Sequence, residues 1–257
     1  MNISAVIITF NEEINIRAAC ESVAWADEIL VVDSGSTDRT REIATGCGAR
    51  VIVNEWPGFS AQKQFATDAA RHDWIFSLDA DERLSDELKV SIETLHAKDE
   101  SELADGYRVA RRTRYMDRWI RGGGWYPDHQ LRFFNRRKGN WGSRIIHESV
   151  VMSPGARVET LAGDLLHYTI REPSDHQRMI EQRYAPLGAQ QMYRDGKRTS
   201  PLRAAVAGPA AFIRSFILKA GFRDGAAGFT IAKFAARHAT LKHQILRQLQ
   251  NQKRDQS

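Results

Sequence analysis

Four short apolar runs, each ending in polar or acidic residues and each separated from the next by a helical pattern, constrain this chain more than any other feature. They lie at residues 4–9, 29–33, 50–54 and 74–78, and Val, Ile and other apolar residues dominate them without strict alternation. Runs of that kind suit strands covered by helices on both faces, and strands alternating with helices join into a mainly parallel sheet. Helices fit between them at about residues 14–22, 38–45 and 61–71. The expected class is therefore α/β, a Rossmann-like sheet flanked by helices. Ligands on open sheets of this kind bind beyond the carboxyl ends of the strands, so the residues just past each run are the ones to weigh for function.

Past residue 85 the pattern loosens. Ser85 followed by Glu87 and Leu88 predicts a capped helix to about residue 97, and strands are expected at 106–114 and 130–135, with an aromatic and basic loop, RWIRGGGWYPDH, between them. Beyond Pro173 the chain reads as helices with a linker near 196–201. We expect a catalytic domain over 1–170 and a basic helical extension over 171–257. In the last helix, at about 228–250, Ile231, Phe234, His238, Leu241, Ile245 and Leu249 share one stripe, with Lys233, Arg237, Lys242 and Arg247 elsewhere. That amphipathic helix either packs on the main domain or lies in a membrane interface.

Charge sharpens this division. Residues 1–170 carry 21 Lys and Arg against 26 Asp and Glu, whereas residues 171–257 carry 16 against 6, so the net charge of +5 arises wholly in the C-terminal third. A basic tail suits an anionic membrane surface or a nucleic acid. Two cysteines, Cys20 and Cys47, fit a reducing compartment, and the start, MNISAVIITFNEE, lacks the basic n-region of a signal peptide. The expected location is cytoplasmic, on the inner face of the cytoplasmic membrane. No apolar run is expected to reach the roughly 18 residues of a bilayer span, because 204–213 is interrupted by Pro209 and ended by Arg214.

Two strand ends carry the chemistry. After the fourth run comes Leu78-Asp79-Ala80-Asp81-Glu82, whose Asp79 and Asp81 would point the same way if strand geometry persists. Paired carboxylates at the mouth of a sheet suit a hard divalent cation bridging to a diphosphate, although a solvated acidic turn has the same letters. The second run ends in Asp33-Ser34-Gly35-Ser36-Thr37-Asp38, which offers a carboxylate, a flexible glycine and three hydroxyls, Ser36 among them, to hold a heterocycle or ribose. One of Ser36, Thr37 and Asp38 is expected to cap the following helix; capping leaves Asp33 unexplained.

The segments ITFNEE, EILVVDSGSTDRT, GFSAQKQFA and SLDADE, in this order, resemble the family 2 glycosyltransferases with the GT-A fold. GGWYPDHQLRFF, IHE and LLHY extend the likeness over roughly 170 residues and resemble the branch that includes lipopolysaccharide core β-1,4-glucosyltransferases. The resemblance implies that Thr9, Asn11 and Glu12 form a nucleotide-binding segment, that Asp33 contacts uracil, that Lys63 lies near the nucleotide, and that Asp79, Ala80 and Asp81 are the D-x-D motif. Asp81 is then the direct metal ligand for Mg2+ or Mn2+. It further implies an inverting transfer of a hexose, with UDP-glucose as the expected donor and a lipid-linked saccharide as acceptor.

Inverting transfer needs a base for the acceptor hydroxyl. Asp128, ahead of His129-Gln130-Leu131-Arg132, fits the family's acid before x-x-Leu-x-Arg, with Pro127 where an acid usually stands. Its rival is His147-Glu148, in which His147 completes the metal sphere and Glu148 is the base. Trp125 and Tyr126 suit stacking on a sugar, while Gly122 to Gly124 equally suit an ordinary loop. A P-loop and a G-x-G-x-x-G after a strand are both missing, which argues against an ATPase and a dinucleotide oxidoreductase. The non-enzyme alternative is a basic nucleic-acid- or membrane-binding module; nucleic acid is the weaker partner, because the basic residues alternate with an apolar stripe.

Overall fold

A computed structural model of the chain describes residues 1–142, 148–170 and 172–255. The chain divides into two compact units, one of residues 1–111 and 128–167, the other of residues 112–127 and 168–257. The aromatic loop thus groups with the helices and not with the sheet domain in which the sequence reading placed it.

The first unit opens with β1 (Ile3–Thr9), α1 (Ile16–Ser22), β2 (Glu28–Asp33), α2 (Thr40–Gly46), β3 (Arg50–Val53), α3 (Phe59–Ala69) and β4 (Trp74–Asp79). These strands lie parallel, as the apolar runs predict, and stand in the order β3-β2-β1-β4. Every residue of β1 is buried: Ile3, Ala5 and Ile7 enter a core on one face, Val6 and Ile8 a core on the other. Period-two alternation therefore appears between two apolar layers, not between core and water. Beyond β4 follow β5 (Glu82–Leu84), α4 (Asp86–His96), β6 (Gly106–Tyr115), β7 (Arg118–Trp119), β8 (Asp128–Asn135), the strand pair β9 (Gly139–Trp141) and β10 (Val150–Met152), and β11 (Val158–Ile170). They extend the sheet as β4-β8-β6-β11-β5, with β8 antiparallel to β4 and β6, and β5 antiparallel to β11.

Ser85 caps α4 as expected, accepting the Leu88 amide at 3.2 Å. At the amino ends of the parallel strands, buried Glu28 accepts Ser4 Oγ at 2.6 Å, Arg50 Nη2 at 2.6 Å and the Arg71 amide at 2.7 Å. Burial pushes this carboxyl up and these donors pull it further down, below the ordinary glutamate range. Cys20 and Cys47 are free thiols, and burial with the neighbouring Cys47 pushes Cys20 up to about 12.

In the second unit, α5 (Pro173–Arg178), a π-helical turn (Met179–Tyr184) and α6 (Ala185–Arg194) lead to α7 (Pro201–Ile213), a second π-helical turn (Arg214–Leu218) and the long α8 (Gly225–Asp255). The helix α8 packs along α6 and α7. Of its stripe Ile231 is buried and Phe234, His238, Leu241, Ile245 and Leu249 are half-buried, with Leu246 beside them buried, so the stripe is partly covered by helix packing. Close approach explains the glycines here: a Cβ on Gly208 would stand 2.4 Å from Thr240 Oγ1, and one on Gly122 would stand 2.4 Å from the Ala220 carbonyl oxygen. Gly122 to Gly124 therefore form a tight contact, fixed by the Gly122 amide donating to buried Asp224 at 2.7 Å.

One expectation is corrected. Pro209 does not end the helix, and Pro201–Leu218 is long and apolar enough by length and composition to cross a membrane, with 17% of it buried. Its exposed apolar residues include Leu202, Val206, Ile213, Ile217 and Leu218.

Candidate active site

Strand register brings the chosen ends level. Asp33 pairs across from Thr9 and Asp79 from Ile8, so the tips of β2, β1 and β4 stand side by side. The Ala80 amide still donates to the Ile8 carbonyl at 3.2 Å, and Ala80 is buried. Beyond the last register pair the loops are joined by side chains. Asn11, in the left-handed region at φ 53, donates its amide to Ser36 Oγ at 2.8 Å and accepts the Thr37 amide at 2.8 Å. The Glu12 amide donates to Thr40 Oγ1 at 2.8 Å, and the Glu12 carboxylate accepts Asn15 Nδ2 at 2.7 Å at the start of α1.

Asp33 is fully buried and accepts the amides of Gly35 at 3.0 Å and Ser36 at 2.8 Å together with the Ser36 hydroxyl. The carboxylate thus shapes the loop that the resemblance assigns to uracil. Asp38, not Ser36 or Thr37, holds the start of α2, accepting the Thr40 amide at 3.0 Å.

The acids of LDADE part company because β4 ends at Asp79. Asp79 faces two cations, with Oδ1 at 2.9 Å from Lys63 Nζ and Oδ2 at 3.1 Å from Arg132 Nη2. Asp81, past the turn, has Oδ2 at 3.3 Å from His167 Nε2 on β11. Burial works to raise both carboxyls; Lys63 and Arg132 outweigh it at Asp79, and His167 at Asp81, and both are held below the ordinary range.

Lys63 is 1% exposed and its ammonium also lies 3.0 Å from Glu148 Oε1, so the lysine expected near a nucleotide bridges two carboxylates. Asp128 accepts Arg111 Nη2 at 2.7 Å and Gln130 Nε2 at 2.7 Å. Arg111 lies 3.5 Å from Glu82, which is fully buried and accepts Arg132 Nη2 at 2.9 Å and the Asp79 amide at 3.0 Å. Among the described residues this network sets five carboxylates, Asp79, Asp81, Glu82, Asp128 and Glu148, against three cations, Lys63, Arg111 and Arg132.

Sequence reasoning missed Glu82, Arg111, Arg132 and His167. Glu82, Arg132 and His167 stood inside quoted segments, LDADE, DHQLR and LLHY, yet no role was assigned to them, and nothing in spacing told that β8 and β11 would carry Arg132 and His167 to the β4 tip. His147 lies outside the described residues. Trp125 packs in the second unit, edge-on to Tyr115 at 5.8 Å and His176 at 5.6 Å.

Three buried donors of the network and its edge, Thr9 Oγ1, Arg132 Nε and Arg132 Nη1, have no hydrogen-bond partner among the described residues. Unspent buried donors at strand tips suit a polar ligand. No group of three or more His, Cys, Asp or Glu side chains that would hold a metal ion occurs among the described residues. Asp81 with His167 is a two-donor pair of the kind that shares a cation with substrate phosphates.

Residues 4–155 match the family described as Glycosyl transferase family 2, more than half of the chain. The lipopolysaccharide core biosynthesis glycosyltransferase LpsC of Rhizobium meliloti (strain 1021) is 34% identical over 252 residues, covering 93% of this chain and 89% of LpsC. An uncharacterized glycosyltransferase of Rickettsia bellii (strain RML369-C) is 32% identical over 257 residues, covering 96% of this chain and 86% of its own. Among solved structures, S. aureus TarS 1-349 in complex with UDP aligns over all of this chain and 92% of its own, at 14% identity and a TM-score of 0.48. With its acids gathered at the tips of a parallel sheet and its family match running from β1 to β10, the chain belongs to glycosyl transferase family 2.

Proposed function

We propose that this enzyme transfers a hexose, with inversion, from a UDP-sugar onto a saccharide of a lipid-linked glycan such as the lipopolysaccharide inner core. UDP-glucose is the first donor to test. What carries the reading is the strand-tip network: among the described residues its five carboxylates outnumber the three permanent cations, Lys63, Arg111 and Arg132, with only His167 beside Asp81, an acidic excess that suits a divalent cation. Asp81 and His167 would hold Mg2+ or Mn2+, and the cation would supply neutralisation of the diphosphate leaving group. Asp33 and the 9–12 segment would take the nucleotide, whose base would compete for hydrogen bonds now made between the two loops.

Asp128 is the base we favour. It is a third exposed, and Arg111 and Gln130 fix its orientation while leaving it open to an acceptor hydroxyl. Support for the acceptor class comes from LpsC, whose name places it in lipopolysaccharide core biosynthesis. A lipid-linked acceptor also accounts for the basic surplus of the C-terminal third and the exposed apolar face of α7, which suit a peripheral position on the inner face of the cytoplasmic membrane.

The deciding experiment is a panel of nucleotide sugars, with Mg2+ or Mn2+, scored by thermal unfolding and by release of nucleoside diphosphate. A donor at a hundredfold excess over Kd adds about 2.7 kcal/mol of apparent stability. We expect UDP-sugars to stabilise only with metal, Asp81→Ala to lose both effects, and Asp128→Asn to lower turnover by about 10²–10⁴ while donor stabilisation persists. Should Glu148→Gln show that split instead, the base is Glu148; metal-independent stabilisation would remove the cation from the reading.

A further inference from the structure

We infer that the helical unit carries a binding site for a phosphate ester, in a cavity of about 260 Å³ lined by Trp125, Arg214, Ser215, Lys219, His238 and Lys242. Its volume falls just under the ~300 Å³ at which small-molecule sites begin. Three permanent cations, Arg214, Lys219 and Lys242, line it, and no carboxylate is among its lining residues. None of the three cations has an ion-pair partner among the described residues. Elsewhere in the same unit a cation is matched by an acid, as Arg237 is by Glu181. Gathering like charges without a counter-charge costs free energy, which a bound anion recovers.

Two of the cations run close along glycine backbone. A Cβ on Gly124 would stand 2.5 Å from Lys219 Cδ and Nζ, and one on Gly188 would stand 3.1 Å from Lys242 Cδ, so both lysine stems lie against glycine backbone. Burial and nearby Lys197 push the Lys242 ammonium below its ordinary range, a second sign of uncompensated positive charge there. An arginine fork and two ammonium groups are the donors that suit a phosphate monoester, and the Trp125 ring offers an apolar wall to the esterified group. Ile213, Ile217 and Leu218, all exposed, alternate in sequence with Arg214 and Lys219, an arrangement that suits the headgroup of a phosphorylated amphiphile as well as a soluble ester.

The test uses the full chain. Its binding is compared on vesicles of phosphatidylcholine alone, with phosphatidic acid, and with phosphatidylglycerol, and its thermal unfolding is followed with inorganic phosphate. Exposed Arg214 and Lys219 tolerate removal, so Arg214→Ala and Lys219→Ala are the variants, with exposed Arg247→Ala on α8 as the charge control. We expect phosphatidic acid to be preferred and each cavity variant to lose about fivefold in affinity. Phosphate is expected to stabilise the native chain but not the double variant. Phosphate stabilisation lost in the double variant, with equal binding to all vesicles, assigns the site to a soluble ester. Loss in Arg247→Ala equal to that in Lys219→Ala, with no stabilisation by phosphate, reduces the cluster to diffuse surface charge and overturns the inference.

Discussion

Arg132 shows how differently single residues in one cluster can matter. It is 2% exposed and bonds both Asp79 and Glu82, so its removal leaves buried Glu82 and half-buried Asp79 short of a partner. Breaking a buried pair from one side costs about 3–5 kcal/mol, and we expect Arg132→Met to lose that much in chemical denaturation. Asp81→Asn, which leaves the bonds of Arg132 to Asp79 and Glu82 in place, is expected to unfold within about 1 kcal/mol of the native chain while losing turnover; an equal loss of stability in both variants would count against the distinction. At this scale the sequence was half legible. LDADE announced acids at a strand end, because an apolar run followed by carboxylates has few other uses. It could not announce that Asp79 is neutralised by Arg132, 53 positions away, since ion pairing across a sheet depends on strand order, which local spacing does not encode.

Among the elements, the parallel strands were readable because burial on both faces leaves an unmistakable apolar run, and α4 because Ser85 announces its own cap. β11 was not. Within Val158–Ile170, Gly163 and Asp164 interrupt the pattern, and only the fold shows why: at φ 90, a Cβ on Gly163 would lie 2.2 Å from the Leu88 amide nitrogen. Gly163→Ala must therefore shift backbone against the start of α4, and we expect a loss of more than about 2 kcal/mol, read from the urea midpoint. Glu28 makes a second prediction at this scale. It joins β1, β2, β3 and the turn before β4, and Glu28→Gln keeps its shape but not its charge. The Arg50 guanidinium then faces a neutral amide, and a loss of about 2–3 kcal/mol is expected at pH 7. Because the folded carboxyl sits below its unfolded range, the native chain holds this contribution above about pH 4.3 and loses it as the pH falls further. The Gln variant should show no such loss from this position. α8 was legible as a helix but not in what its stripe meets, since an amphipathic stripe looks the same whether it faces lipid or, as Ile231 does here, packs on neighbouring protein.

For the whole molecule, acid sensitivity is expected to begin in the helical unit. His176 is buried among Tyr115, Trp125 and Phe234, with Nδ1 at 3.1 Å from the Tyr115 hydroxyl, and burial, helped by His238, pushes it down to about 4. In the unfolded chain it titrates near 6.5, so the unfolded state binds the extra proton in between. Stability is then complete above about pH 6.5 and falls as the pH drops toward 4, by up to about 3 kcal/mol. His176→Phe should flatten that slope in thermal melts between pH 7 and 4. An unchanged slope would place the acid-sensitive group elsewhere. The division into an acidic sheet unit and a basic helical unit was readable from composition alone, but the grouping of residues 112–127 with the helices was not, because it rests on contacts such as Gly122 with Asp224 that no local pattern announces.

The stitching of the β1 and β2 loops has one more consequence. Main-chain pairing between these strands ends with the Ser34 amide donating to the Thr9 carbonyl at 2.9 Å, and past that point Asn11, Ser36 and Thr37 hold one another through side chains. A nucleotide can enter by exchanging those partners one for one while the sheet stays registered. Amide deuteration would record this as altered uptake at Asn11, Ser36 and Thr37 on adding UDP, beside unchanged, slow uptake at Ile7 and Val31.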